Sequence, residues 1–176
     1  MDLDWHILNS IQALRSPVGD AVFPGISFLG AMGWIWIALG IVLVIVPKTR
    51  RAGIVLLVAI AIDLILVNMA MKPLIARERP YVLDPDFQLI VPPENDYSFP
   101  SGHTAISFAA ASALFFARSR LWIPASVVAA LIAFSRLYLY VHFPSDVLAG
   151  CLIGILCGFL AWLIVGRFRR KPDAKT

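Results

Sequence analysis

Charged residues are scarce in this chain, and one long stretch has none. Lys and Arg number 15 and Asp and Glu 11 among 176 residues, while 60% of the chain is hydrophobic and the mean hydropathy is +0.82. Soluble globular domains carry about 25% charged residues, so the 15% found here excludes an ordinary soluble domain and predicts an integral membrane protein. Cysteine is nearly absent. Cys151 and Cys157 lie six apart in one apolar run, too far along a helix for a disulfide and without further ligands for a metal, so they read as small core residues. No concentrated basic face is present either: the net charge of +4 is dispersed over short loops, which excludes nucleic acid as a partner. The N-terminus lacks a basic segment ahead of an apolar one, so no cleavable signal peptide is expected and the first spanning helix serves for insertion.

What is present is a series of apolar runs. Residues 1–20 place Leu3, Ile7, Leu8, Ile11 and Leu14 at helical spacing, which predicts an amphipathic helix lying on the membrane, ended by Pro17 and Gly19, with Trp5 and His6 interfacial. Residues 21–46 carry no charge and are long enough for a first spanning helix. Residues 52–71 form a second, interrupted by Asp63 and Asn68; Asp63 reads as a buried acid hydrogen-bonded to a neighbouring helix, with an ion relay as the alternative. Residues 77–99, with four prolines and with Asp84, Asp86, Glu94 and Asp96 among their acids, predict an external loop whose Leu89, Ile90 and Val91 either pack beneath it or dip into the bilayer. A third span covers residues 100–117 and is rich in Ala and Ser, a fourth 121–140, and a fifth 147–166 with Gly150, Gly154 and Gly158 at four-residue intervals. Such a row is a helix-packing face, used within the bundle or in a homodimer. Residues 167–176 form a basic tail expected to be cytoplasmic and disordered beyond Pro172. The expected fold is therefore all-α: an integral membrane helical bundle of five transmembrane helices over residues 21–166, preceded by an interfacial helix. Ten basic residues fall in one set of loops and tails and five in the other, so the positive-inside rule places the second set outside the cytoplasm.

Three of those five, Lys72, Arg79 and Arg136, belong to polar stretches at the ends of apolar runs on that same face. Three converging cations suit a multiply charged anion, and phosphate matches guanidinium geometry best, whereas separately each would read as a cation snorkelling to headgroups. Ser101 and Gly102 would start the third span, with backbone N–H groups facing an anion. His142 and Asp146 are four apart with Pro144 between them, suited to a helix start that brings the carboxylate back to orient the imidazole. That pairing leaves the other ring nitrogen of His142 for nucleophilic attack, and His103 free to act as an acid toward the leaving oxygen. The set points to phosphoryl transfer.

These residues resemble the type 2 phosphatidic acid phosphatases, a family whose superfamily includes vanadium haloperoxidases and bacterial acid phosphatases. The family's signatures K-x6-R-P, P-S-G-H and S-R-x5-H-x3-D are met in order by Lys72, Arg79 and Pro80, by Pro100, Ser101, Gly102 and His103, and by Ser135, Arg136, His142 and Asp146. The resemblance implies that His142 becomes phosphohistidine, Asp146 orients it and His103 protonates the leaving group, while Lys72, Arg79, Ser101, Gly102 and Arg136 hold the phosphate. It also implies no metal and no cofactor. The substrate expected is a lipid phosphate at the outer leaflet of a bacterial inner membrane, with undecaprenyl diphosphate first and phosphatidylglycerophosphate, phosphatidate and lipid A 1-phosphate open. A lipid phosphotransferase, or a non-enzymatic ion or solute transporter using Asp63, are the competing classes; apolar spans argue against haloperoxidase activity, whose carriers are soluble and longer.

Overall fold

A computed structural model describes residues 2–167, and the expected basic tail from residue 168 onward lies outside them. Among the described residues every regular element is helical. Helix α1 is Asp2–Gln12 and α2 Pro17–Gly30; α3 is Trp34–Ile45 and α4 Arg50–Asp63. The α4 rod continues as a π-helical segment, Leu64–Met71, into the single turn α5, Lys72–Ile75, and a second short turn, α6, is Pro80–Leu83. The bundle is completed by α7 (Gly102–Phe116), α8 (Trp122–Tyr138) and α9 (Pro144–Arg167). Pro17–Ile45, Arg50–Leu83 and Pro144–Gly166 are long and apolar enough to cross a membrane, whereas α7 and α8 are shorter apolar helices of 15 and 17 residues.

Helix α7 is the axis of the molecule, packed along α9 and also against α8 and α4. Its small residues permit this: Ala109, Ala110 and Ala113 are fully buried among Val55, Leu56 and Ala59 of α4, Ala129 and Ile132 of α8, and Cys157 and Ala161 of α9. The glycine row of α9 faces α7 within the chain. A Cβ on Gly154 would sit 2.2 Å from the Ala105 carbonyl oxygen, and one on Gly158 2.1 Å from Ser112 Oγ, so only hydrogen lets the two backbones come this close. Outward-facing Ile41, Val42, Val127, Leu131, Leu148 and Leu152 are exposed, the pattern of a lipid-facing surface.

Two expectations about boundaries need correcting. Pro17 opens a helix rather than closing one: Ser16 caps α2, its Oγ accepting from the Gly19 N–H at 3.1 Å, and α1 has already ended at Gln12. The first apolar run is also not one continuous helix. Met32 (φ 52°) and Gly33 (φ 68°) take left-handed conformations that break it between α2 and α3. Gly33 fits that break because a side chain there would collide with Ile106 Cδ1 at 2.1 Å. Leu89 and Val91 pack against Tyr138, Leu139 and Val141, the first of the two readings given for them.

Gly154→Val should lower stability by about 1–3 kcal/mol through overpacking against the α7 backbone, read as a lower melting midpoint in detergent. Gly25→Ala, where a Cβ meets nothing within 4 Å, should leave the midpoint unchanged or raised.

Candidate active site

The three polar stretches meet at one end of the bundle because each terminates a helix there. Lys72 follows the π-helical segment, Arg79 precedes α6, Ser101 and Gly102 start α7, Arg136 lies in the last turn of α8, and His142 and Asp146 flank the start of α9. Apart from half-buried Gly102 they are withdrawn from solvent: Arg79 is 2% exposed, Arg136 3%, and His142 and Asp146 0%. Cations buried this deeply require partners, and the loop between α6 and α7 supplies them. Glu94 bridges Arg79, at 2.6 Å, and Arg136; Asp96 bridges Arg79 and Lys72. Arg79 is further fixed by donating from Nε to the Asp96 carbonyl at 2.9 Å and from Nη1 to the Val141 carbonyl at 2.8 Å. Arg136 Nη1 reaches Ser27 Oγ of α2, while its Nε is a buried donor with no partner among the described residues.

Burial alone would raise the Glu94 carboxyl, but Arg136 and Arg79 outweigh it and hold it down at about 2. Burial likewise opposes, and Lys72 and Arg79 overcome, the ionisation of Asp96, which ends below its usual range. His142 is pushed well below its ordinary value, first by burial and then by the charges of Arg79 and Arg136. A neutral imidazole keeps a lone pair for attack. Its two nitrogens face different neighbours. Nε2 lies 3.2 Å from Arg79 Nη1, among the cations, whereas Nδ1 stands 3.4 Å from Ser98 Oγ and 3.6 Å from Asp146 Oδ2. With a guanidinium donating to Nε2, the ring proton belongs on Nδ1, toward Ser98 and Asp146.

Asp146 is held from three sides. Its Oδ2 accepts from Ser98 Oγ at 2.5 Å and from the Phe143 N–H at 2.8 Å, and its Oδ1 from Arg77 Nη1 at 2.5 Å. Arg77 also donates to Asp4 Oδ2 at 2.8 Å, and Asp4 accepts from the backbone and hydroxyl of Ser145. Helix α1 is thereby tied to the start of α9, with Leu8 fully buried against Tyr140 and Phe143 and Trp5 set edge-on to Phe143 at 4.9 Å. On the opposite wall, Ser101 donates its N–H to the Asp146 carbonyl at 3.1 Å, and its hydroxyl accepts from Thr104 instead of capping α7. Gly102 lies beside Lys72: a Cβ there would be 3.8 Å from Nζ. His103 lines a cavity shared with Lys72, Glu94 and Asp96. Among the described residues no group of three or more His, Cys, Asp or Glu is placed to hold a metal.

Residues 52–170 match the PAP2 superfamily. The chain belongs to that superfamily. It is 36% identical to an undecaprenyl-diphosphatase of Sulfolobus acidocaldarius over 76% of this chain and 66% of that relative, just under two thirds of its length. Among solved structures, LpxE of Aquifex aeolicus superposes with a TM-score of 0.80 at 34% identity, covering 90% of this chain and 94% of that one. The PAP2-type phosphatidylglycerolphosphate phosphatase of Bacillus subtilis gives 0.76 at 30% identity, covering 99% and 88%. The protein is thus a membrane lipid phosphatase of PAP2 type. Sequence reasoning overlooked four residues of this PAP2 site: Arg77, Ser98, Glu94 and Asp96. Only Arg77 carried a signal, as a third cation between Lys72 and Arg79; the other three sit in a loop whose composition reads simply as solvent-exposed.

Glu94 already holds the Arg79 and Arg136 donors that a bound phosphate would use. Glu94→Gln should therefore strengthen inhibition by inorganic phosphate and vanadate by about tenfold, equivalent to roughly 1.4 kcal/mol. Because the folded carboxyl sits at about 2 against an ordinary 4.5, its ion pairs are fully formed above 4.5 and fade only as pH falls toward 2. The difference between wild type and variant should stay constant from pH 5 to pH 8, as measured by inhibition constants across that range.

Proposed function

We propose that this PAP2 protein hydrolyses the terminal phosphate of a lipid phosphate or diphosphate through a phosphohistidine. The observation that carries the reading is His142, a fully buried imidazole whose Nε2 lies 3.2 Å from Arg79 Nη1 while Nδ1 faces Ser98 and Asp146. Nε2 attacks phosphorus as the bond from phosphorus to the lipid oxygen breaks, and His103 gives that oxygen its proton. Asp146 stabilises the imidazolium as it forms. Arg79, Arg136, Lys72 and the N–H groups at the start of α7 meet the charge on the phosphoryl oxygens, with Ser101 and Gly102 letting the phosphate approach. Water then attacks the phosphohistidine, losing a proton to His103, and inorganic phosphate leaves. The three cations supply the charge neutralisation that a divalent ion would otherwise provide, so turnover is expected to persist in EDTA.

Undecaprenyl diphosphate is the first substrate to test, supported by the archaeal relative's name; phosphatidylglycerophosphate is the second, supported by that of the Bacillus structure. This reading takes the broken α2–α3 pair, α4 with its π-helical extension, α7, α8 and α9 as five crossings, with α1 and the site on one face and Arg50, Arg51, Arg118 and Arg120 on the other. The charge distribution supports an extracytoplasmic site in a bacterial inner membrane.

Two experiments follow. A cysteine at exposed Asp86 should react with an impermeant reagent in intact cells while one at Ser119 should not, in a background lacking Cys151 and Cys157; the opposite pattern refutes the orientation. The second separates the histidines. A lipid alkoxide is a poor leaving group that needs a proton, whereas p-nitrophenolate departs without one. His103→Ala should lose lipid turnover by at least about 100-fold yet recover part of it on p-nitrophenyl phosphate, while His142→Ala stays inactive on both. Equal losses on both substrates for His103→Ala would exclude its role as the acid.

A further inference from the structure

Asp63 differs from every other buried acid in this protein. It is 1% exposed, and neither carboxyl oxygen has a hydrogen-bond partner among the described residues, contrary to the sequence expectation of an acid bonded to a neighbouring helix. A buried carboxyl left without a donor is costly, and the ion pairs of the phosphate site do not reach it. Instead it lines a cavity of about 130 Å³, several times the space one water requires, that continues from Lys72, Gly102 and His103 down past Asn68.

The backbone around this cavity departs from regular helix on two sides. Directly after Asp63 the chain widens into the π-helical segment, closed by the Lys72 N–H donating to the Val67 carbonyl five residues back. Such segments occur frequently at functional sites. The widened turn carries Asn68, which is exposed and whose Oδ1 would lie 3.5 Å from a Cβ on Gly102. Across the cavity stands the Met32–Gly33 break, with Met32 85% exposed at the mouth.

Resting on the lipid-phosphatase reading, position assigns the cavity a role. His103 is the acid toward the leaving oxygen, so the space beyond it belongs to the lipid side of the scissile bond. We propose that Asp63 and Asn68 form a hydrogen-bonding subsite for a polyol hydroxyl on the substrate's headgroup, next to the phosphate ester. A carboxyl oxygen without a partner accepts, and a hydroxyl is the donor that a headgroup offers there. A prenyl diphosphate brings no hydroxyl, and among the described residues no cluster of acids is placed to hold a divalent cation. The subsite thus creates a preference within the lipid phosphates: a glycerol-linked phosphate, with a hydroxyl adjacent to the ester, gains a bond that phosphatidate and a prenyl diphosphate cannot make.

The test is kcat/KM of the full-length protein in detergent on phosphatidylglycerophosphate, phosphatidate and undecaprenyl diphosphate, for wild type, Asp63→Leu and Asn68→Ala. Wild type should favour phosphatidylglycerophosphate over phosphatidate. Asp63→Leu should lose about tenfold on the hydroxyl-bearing lipid, the scale of one hydrogen bond, while phosphatidate and the prenyl diphosphate are unchanged. Asn68→Ala, at an exposed position where folding is not at stake, should shift the same ratio in the same direction by a smaller factor; it decides the matter if Asp63→Leu does not yield folded protein. Equal changes on all three lipids, or an unaltered ratio in both variants, would overturn the subsite while leaving the phosphatase reading intact. Release of phosphate from none of the three by wild type would overturn that reading and this proposal with it.

Discussion

The close approach of α7 and α9 is the constraint on which the site depends. A Cβ on Gly150 would lie 2.7 Å from the Ser101 carbonyl oxygen, and the Ser101 N–H is bonded to the Asp146 carbonyl, so the first turns of the two helices are locked side by side. One turn brings Ser101, Gly102 and His103, the other Asp146, with His142 just before it. Were the helices held apart by side chains along Gly150, Gly154 and Gly158, His103 and His142 would no longer share a wall. Packing in the middle of the bundle thus sets distances at its end.

Electrostatics then fixes what packing leaves free. Lys72, Arg77, Arg79 and Arg136 face Asp4, Glu94, Asp96 and Asp146, four cations against four carboxylates at one end of the bundle. The pairing divides by function. Arg77 and Asp4 serve Asp146 and hold the α9 corner, while Glu94 and Asp96 serve the cations around His142 Nε2. Only the second group stands where a phosphate would bind, and its carboxylates come from a loop rather than from a helix. Tyr140 keeps the intervening corner in place: its φ of 60° is a conformation that a bulky residue takes at a cost of about 1–3 kcal/mol, offset by stacking on Phe87 at 3.7 Å and a 2.9 Å hydrogen bond to Asp84.

The helical architecture and the convergence of Lys72, Arg79, Ser101, Gly102, His103, Arg136, His142 and Asp146 were legible because each depends on local pattern: apolar runs of spanning length, and polar residues at their ends. The break at Met32 and Gly33 was not legible, since an apolar stretch gives no hydropathy signal when its backbone turns left-handed. The loop carboxylates were misread for a related reason. Acids in a proline-rich loop look like free solvated charges, and only the tertiary position of Lys72, Arg79 and Arg136 turns Glu94 and Asp96 into partners of buried cations. Asp63 was recognised as buried, but its lack of a partner depends on what the π-helical turn and the opposite break leave open.

Helix length explains why such a site suits a membrane lipid. At 1.5 Å per residue, α7 with 15 residues rises about 22 Å and α8 with 17 about 25 Å, against a hydrocarbon core of about 30 Å. The neighbouring α9, with 24 residues, is long enough to span it. The two short helices carry candidate site residues at one end of the bundle: His103 lies at the start of α7 and Arg136 near the end of α8. At the site the first turn of α7 is locked beside that of α9, so α7 falls short at the opposite end of the bundle. The site therefore stands level with the start of a helix long enough to span the hydrocarbon, and the boundary of that layer is where a lipid's phosphate lies.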